Sequence, residues 1–263
     1  MKLRIATGVV LAAVALGLAS WGSGALFGLV FAVVMVAQGE FYRAARKAGY
    51  HPATALGLVA GGALLLGTYT RGEQIVGVVF FLTVVLTFVW YAARKRRDNL
   101  VIDYAVTLLG LAYVPLLGAF AGLLLRRPDG RGALMATIAA VAIYDIFAYF
   151  GGRLWGKRLL APSISPKKTR EGAAVATAAV LVPGALLAHF LGPWNLFQAF
   201  VFAGLIAIAA PLGDLFESLL KRDLDLKDMG SILPGHGGAL DRIDALLFCT
   251  PVAYISLQIF NLS

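Results

Sequence analysis

Long uninterrupted apolar runs alternate with short polar stretches along the whole chain. Nine runs are long enough to cross a bilayer, which takes about 20 helical residues, and their approximate ranges are 4–20, 23–40, 52–70, 74–93, 100–125, 132–152, 172–190, 195–220 and 243–261. The runs are continuous and do not alternate apolar with polar residues, which argues against a transmembrane β-barrel. The pattern predicts an all-α, polytopic integral membrane protein with about nine transmembrane helices.

The amino-acid composition supports a membrane protein and argues against nucleic acid as a partner. Of the 263 residues, 60% are hydrophobic and 14% are charged, whereas a soluble domain carries about 25% charged residues. The net charge of +9 is explained by basic cytoplasmic loops, so no nucleic acid partner is expected. The single cysteine, Cys249, excludes an intrachain disulfide and a thiolate metal cluster.

Basic residues are distributed unevenly between the loops. The N-terminus and the second, fourth, sixth and eighth loops hold most of them, and the "RRPDGR" loop is the one exception. The positive-inside rule therefore places the N-terminus and the even loops in the cytoplasm of a bacterial-type cell membrane. The stretch "MKLRIATGVVLAAVALGLAS" also has the features of a cleavable signal peptide. Its removal would leave the orientation of the later spans unchanged.

Polar residues are concentrated in two long cytoplasmic loops, 153–171 and 221–242. We therefore divide the chain into an N-terminal region, 1–130, with about five transmembrane helices, and a catalytic region, 131–263, which contains both loops. Two long polar loops on the same side of the membrane indicate a site assembled at its cytoplasmic face.

Four aspartates lie in or at the edge of apolar runs, where charged residues are costly and usually functional. They are Asp145, Asp214, Asp241 and Asp244. On a helix, Asp214 shares a face with Ser218, and Asp241 with Asp244. Carboxylate and hydroxyl oxygens suit Mg²⁺ or Mn²⁺ better than zinc. Aspartates at a helix start also act as caps, so a structural role for Asp241 and Asp244 stays open. Asp145 is left open between a metal ligand and a hydrogen-bonded polar residue.

Glycines and basic residues accompany these carboxylates. In "LPGHGGALDRID", Leu233 to Asp244, a glycine-rich turn leads into a helix, and the backbone N–H groups of such turns bind anions. The glycines alternatively serve only a tight turn. Basic residues flank this glycine-rich turn. A second loop, "SISPKKTREG", contributes further lysines and hydroxyl groups. Basic residues beside carboxylates are what phosphoryl or nucleotidyl transfer requires.

The stretch "SLLKRDLDLKDMGSILPGHGGALDRID", from Ser218 to Asp244, resembles the signature of the phosphatidate cytidylyltransferase (CDP-diacylglycerol synthase) family. The matching residues are Ser218, Lys221, Arg222, Lys227, Asp228, His236, Gly237, Gly238, Asp241, Arg242 and Asp244. "SPKKTREG" and the stretch from Asp145 to Gly152 also resemble family features, so the resemblance covers residues 145–245. Ala239 stands where the family usually has a larger apolar residue, and we interpret this as a difference in packing.

The resemblance implies that CTP and phosphatidic acid react to give CDP-diacylglycerol and pyrophosphate. It implies divalent-metal ligands at Asp214 and Asp241, a second cation such as K⁺, and a homodimer. We expect Asp214, Asp241 and Lys227 to be catalytic and Ser218 to complete the metal shell. The residues expected to bind substrate are Ser165, Lys167, Lys168, Thr169, Ser218, Lys221, Arg222, His236, Gly237, Gly238, Arg242 and Asp244.

Three other functional classes remain as alternatives. A secondary transporter for an anion would also use intramembrane aspartates, but the polar residues gather at one face and not at the midplane. A CTP-dependent kinase acting on a lipid alcohol would release CDP and not pyrophosphate. An inactive scaffold would have no need of the predicted metal site.

Overall fold

The structure, a computed structural model, describes residues 16–93, 99–230 and 237–262. The helices are α1 (Ser23–Lys47), α2 (Thr54–Arg71), α3 (Gln74–Ala92), α4 (Leu100–Leu111), α5 (Leu117–Leu125), α6 (Gly130–Trp155), α7 (Arg170–Ala179), α8 (Ala185–Leu191), α9 (Leu196–Asp223) and α10 (Leu240–Ile259). Two π-helical turns, Ala112–Leu116 and Val180–Gly184, connect α4 to α5 and α7 to α8.

Seven helical segments within the described ranges are long and apolar enough to cross a membrane, which supports a polytopic membrane protein. They are Ser23–Lys47, Gln74–Ala92, Leu100–Leu125, Gly130–Trp155, Arg170–Leu191, Leu196–Asp223 and Leu240–Ile259. The count of nine is not confirmed. Helix α2 is not among the seven, because glycines, threonines and Arg71 lower its hydropathy. Most of the run 4–20, with its signal-peptide alternative, lies outside the described residues.

The π-helical turns coincide with prolines in the middle of two spans. Pro115 lies in the first turn and Pro183 in the second. A proline lacks the N–H group and its ring clashes with a carbonyl of the preceding turn. A widened turn relieves this clash locally. Both spans therefore continue past their proline.

A β-hairpin lies within the predicted loop 153–171. Its strands, β1 (Leu159–Ala161) and β2 (Ser165–Thr169), pair antiparallel, with Leu159 opposite Thr169. The all-α prediction did not include this hairpin, because "SISPKKTREG" lacks the alternation of apolar and polar residues that identifies a strand. The structure is otherwise helical over the described residues that form regular elements.

Polar side chains attach this hairpin to the start of α7. The Thr169 hydroxyl oxygen accepts the N–H of Gly172 at 3.2 Å and so caps the helix. The Glu171 carboxylate accepts the N–H groups of Lys157 and Arg158 at 3.0 and 3.1 Å. The hairpin is therefore held at both of its ends by the first turn of α7.

The chain forms two compact units. The first comprises Met1–Arg126 and Leu224–Arg242, and the second comprises Arg127–Asp223 and Ile243–Ser263. The segment that precedes α10 thus belongs to the first unit, although it follows α9 in sequence. The division of the chain into an N-terminal membrane region, 1–130, and a catalytic region, 131–263, stays a prediction.

In the first unit, buried polar side chains of α1 fix its contacts with neighbouring helices. The Tyr42 hydroxyl donates to the Thr107 carbonyl at 2.8 Å, and Gln38 Nε2 donates to the Gly57 carbonyl at 2.8 Å. A side chain at Gly57 or Gly110 would overlap the Tyr42 ring. Helix α1 therefore packs closely on α2 and α4, and its C-terminal half is held in a defined position.

In the second unit, α9 and α10 approach each other at Gly213. A Cβ atom at this position would lie 2.5 Å from the Asp244 carbonyl oxygen and 2.9 Å from the Ala245 Cα. Only glycine permits this backbone contact without displacement. The contact lies one residue from Asp214 and involves Asp244 itself, so it sets the position of both aspartates.

Candidate active site

The second unit contains an ion pair between the hairpin and α9. Lys168 Nζ lies 2.5 Å from Asp214 Oδ2, and Ser218 Oγ lies 3.5 Å from Asp214 Oδ1, one helical turn further on. The Asp214 side chain is 38% exposed, so its carboxylate is open to a ligand. The structure thus brings together a lysine from the predicted loop 153–171 and a carboxylate and a hydroxyl group from the predicted run 195–220.

A second group of charged residues in this unit is more deeply buried. Lys221 Nζ lies 2.6 Å from the carboxylate of Glu217, whose side chain is 1% exposed. Asp244 is a hydrogen-bond partner of Glu217 and interacts electrostatically with Asp214 and Lys221. Carboxyl groups in contact require a proton or a cation between them. The Lys221 ammonium group supplies positive charge here.

The remaining hairpin residues are arranged around Lys168. Lys167 is exposed and Ser165 is half-buried, while Thr169 caps α7 through its hydroxyl oxygen. Arg222 is exposed and its Nε donates to the Ile164 carbonyl at 3.4 Å. The hairpin therefore presents basic side chains to solvent beside the end of α9.

Asp145 lies on α6 and is exposed. It interacts electrostatically with Tyr144 and Cys249. Tyr144 also interacts with Asp214, and Cys249 with Asp244. Asp145 is therefore in the same region of the second unit as these two carboxylates, and both interpretations of its role stay open.

In the first unit, Asp241 lies in the first turn of α10 and accepts backbone N–H groups. Its Oδ2 accepts Gly238 N–H at 2.8 Å and Met229 N–H at 3.2 Å. Gly237 has a φ of +80°, and a Cβ there would lie 3.0 Å from Asp241 Oδ2. We name residues 229–230 and 237–240 the glycine loop. Asp241 thus organises this loop, which is the structural role that the sequence left open.

A carboxylate from α1 meets the same loop. Leu240 N–H donates to Glu40 Oε2 at 3.0 Å, and Ala239 N–H also donates to Glu40. Glu40 is 1% exposed. These N–H groups, with that of Gly238, are used by two carboxylates, so phosphate binding by the Gly237–Gly238 backbone stays a prediction.

The other predicted residues of this segment are at its surface. Lys227, Asp228 and Arg242 are exposed, and Ala239 is a buried apolar position with 8% exposure. His236 lies outside the described residues. The predicted roles of Lys227, His236 and Arg242 in catalysis or substrate binding stay predictions.

The donor set fits a magnesium ion that is bound mainly by substrate. Within the described ranges, no group of three or more His, Cys, Asp or Glu side chains is placed to hold a metal. Mg²⁺ commonly uses one or two carboxylates together with substrate phosphates and water. In the second unit, Asp214 and the neighbouring Ser218 offer oxygen ligands of this kind. In the first unit, Asp241 offers a carboxylate.

Sequence reasoning missed Glu40 and gave Glu217 no role. The predicted run 23–40 ends at Glu40, where a carboxylate is expected to be solvated, but α1 continues to Lys47. Glu40 therefore lies almost two turns inside a helix. Glu217 lies three residues after Asp214 on α9, and its burial cannot be read from a helix pattern alone.

The fold and the clustered groups define a polytopic membrane protein whose carboxylates and lysines suit phosphate chemistry. A family model described as "Cytidylyltransferase family" matches residues 2–260, and the chain belongs to this family. It is 34% identical to the phosphatidate cytidylyltransferase of Mycobacterium leprae, over 94% of this chain and 87% of that protein. It is 35% identical to the enzyme of the same name from Pseudomonas aeruginosa, over 96% and 95% of the two chains.

Proposed function

We propose that the protein is a phosphatidate cytidylyltransferase, which converts CTP and phosphatidic acid to CDP-diacylglycerol and pyrophosphate. The observation that carries this proposal is the pairing of Lys168 with Asp214 beside Ser218. Family membership, and relatives of this name that match nearly the whole chain, support the same reaction.

The reaction needs no covalent enzyme intermediate. A phosphate oxygen of phosphatidic acid forms a bond to the α-phosphorus of CTP, and the bond from that phosphorus to the β-phosphate oxygen breaks. Pyrophosphate leaves with the electron pair of the broken bond. The protein has to bring two anions together and stabilise the charge on the leaving group.

We assign this electrostatic task to the basic residues of the hairpin, of the end of α9 and of the segment that follows α9 in the sequence. Lys168 is paired with Asp214 and Lys221 with Glu217, so both ammonium groups are held in place before substrate binds. Preorganised charges stabilise developing negative charge without rearrangement. Lys167 and Arg222 are exposed and suit the outer phosphates, as do Lys227 and Arg242.

We further propose Asp214 and Asp241 as ligands of Mg²⁺ or Mn²⁺, with Ser218 in support and Asp145 as a further candidate. When bound, such an ion neutralises charge on the phosphates. A second cation such as K⁺ is also part of the proposal. The residues of this chain contribute by holding carboxylate oxygens at fixed positions, as the N–H bonds to Asp241 illustrate.

The substrates also suggest how the protein is placed in the cell. The diacylglycerol chains can stay in the bilayer while CTP arrives from the cytoplasm, so we propose that the site faces the cytoplasm. The basic residues of the loops support this orientation. A homodimer is proposed from the family resemblance.

A labelling assay tests the function directly. The detergent-purified protein would be mixed with phosphatidic acid, Mg²⁺ and CTP labelled at the α-phosphate, followed by lipid extraction and pyrophosphate measurement. We expect label in the lipid fraction and equimolar pyrophosphate. A parallel reaction with γ-labelled CTP should leave the lipid unlabelled, whereas a lipid kinase would label it. The absence of both products over a range of lipids and cations would refute the proposal.

A further inference from the structure

Glu40 is the only acidic residue in α1, and it is buried against the glycine loop of the same unit. Glu40 is 1% exposed, and a carboxylate is almost never buried this deeply in a protein unless it is paired. The glycine loop approaches it from two sides. A side chain at either Gly230 or Gly238 would overlap the Glu40 carboxylate. Two glycines of the loop therefore pack directly against the Glu40 carboxylate.

Glu40 supplies a helix cap that the sequence of α10 does not provide. The residue before α10 is Ala239, which has no side-chain acceptor, although the first N–H groups of a helix need one. Glu40 accepts the N–H groups of Ala239 and Leu240. A carboxylate at this position also interacts favourably with the helix dipole. The cap thus comes from a helix about 200 residues earlier in the chain.

The same capped turn carries Asp241. Gly238 lies against Glu40 and donates its N–H to Asp241 Oδ2. Met229, next to Gly230, donates to the same carboxylate. Glu40 therefore fixes the two backbone segments that in turn fix the direction of the Asp241 side chain.

We propose that Glu40 is a positioning residue for cytidylyl transfer, which holds the glycine loop so that Asp241 is correctly placed. This inference rests on the proposed function. It assigns no contact between Glu40 and substrate. Its second oxygen, Oε1, has no hydrogen-bond partner among the described residues, which leaves capacity for one more donor from the loop.

Three substitutions at Glu40 and one control test the proposal. Glu40→Gln keeps the length and one acceptor oxygen, Glu40→Asp keeps the charge but is too short, and Glu40→Ala removes the acceptor. Gln38→Ala is the matched control, because Gln38 is also buried on α1 but bonds to the Gly57 carbonyl of α2. For each variant, kcat, KM for both substrates and the apparent Tm would be measured at equal amounts of folded protein.

We expect kcat to fall by about tenfold to a hundredfold in Glu40→Ala, the range seen when supporting groups of a site are removed. Glu40→Gln should retain more activity than Glu40→Ala or Glu40→Asp. KM for phosphatidic acid should change little. Gln38→Ala should lower the apparent Tm while its kcat stays near wild type. A purely structural role would instead lower Tm in Glu40→Ala and leave kcat unchanged, which would overturn the proposal.

Hydrogen exchange gives a readout that does not depend on activity. Backbone amides of residues 237–242 should exchange faster in Glu40→Ala than in wild type, while those of α2 stay unchanged. Unchanged exchange at 237–242 would refute the role of Glu40. A wild-type protein without cytidylyl transfer would refute the proposed function, and the exchange data would still decide whether Glu40 holds the loop.

Discussion

Buried carboxylates of this protein each have an identifiable partner that explains their position. Glu217 is paired with Lys221, and Glu40 with the N–H groups at the start of α10. A buried charge without such a partner is strongly unfavourable. Asp103 follows the same rule without a role in the site, because it accepts the His51 N–H at 2.6 Å and fixes the turn between α1 and α2.

Asp241→Asn tests whether the carboxylate serves more than the glycine loop. An amide oxygen can still accept the Gly238 N–H, but the negative charge available to a metal is lost. We expect turnover to fall by orders of magnitude with a small change in apparent Tm, measured with the α-labelled CTP assay.

Asp223→Asn is the control for this change. Asp223 is an exposed aspartate at the end of α9, and surface substitutions usually change the free energy of folding by less than about 0.5 kcal/mol. Its turnover should stay within about twofold of wild type. Near-normal activity of Asp241→Asn would show that Asp241 only organises the loop.

At the scale of elements, glycines determine how closely helices approach. Gly213 lets α9 contact the backbone of α10, and Gly172 lets α7 approach the Ala148 carbonyl of α6. Small residues at such crossings are typical of membrane helices, whose association depends on close packing. The same contacts place Asp214 and Asp244 and orient the hairpin that carries Lys168.

Gly213→Ala should destabilise the second unit. The added Cβ would meet backbone atoms of α10 at 2.5 Å, and overpacking of this kind costs about 1–3 kcal/mol. We expect a lower apparent Tm in detergent and a lower kcat, because the backbone that moves carries Asp244.

Gly204→Ala is the matched control on the same helix. A Cβ there would lie 3.7 Å from a Leu181 methyl group, an ordinary contact. Because alanine favours helix by about 0.5–1 kcal/mol over glycine, this variant should be as stable as wild type or more so. Equal melting temperatures for the two variants would contradict the close approach at Gly213.

At the scale of the whole molecule, the charges of the loops predict how the helices are oriented in the membrane. The uneven distribution of basic residues predicts that the hairpin is cytoplasmic and that the loop before α6 is on the opposite side. Ser163 and Asp129 are exposed residues of these two segments. Cys249 is buried and is the only cysteine, so the chain suits cysteine labelling.

In a Cys249→Ala background, cysteines would be introduced separately by Ser163→Cys and Asp129→Cys. A maleimide that does not cross membranes should label the Asp129→Cys protein in intact cells. It should label the Ser163→Cys protein only after the cells are permeabilised. The opposite pattern would reverse the predicted orientation and place the hairpin outside the cytoplasm.

The sequence by itself determined the class of fold and the chemistry of the site. Apolar runs long enough to span a bilayer leave helices as the stable solution, because backbone groups have no water to bind there. The spacing of Asp214 and Ser218 placed them on one helix face, and their atoms lie 3.5 Å apart. The signature from Ser218 to Asp244 indicated the family to which the chain belongs.

Only the tertiary structure decided which groups from distant segments meet. Lys168 reaches Asp214 because the β1–β2 hairpin is attached to the start of α7. The sequence of this hairpin lacks the alternation of apolar and polar residues that identifies strands, so the contact could not be predicted from it. Glu40 caps α10 from a helix about 200 residues away. Periodicity reports which face of a helix is apolar, but not which neighbour covers that face. Contacts of this kind depend on packing between elements, and a single sequence does not encode them in a local pattern.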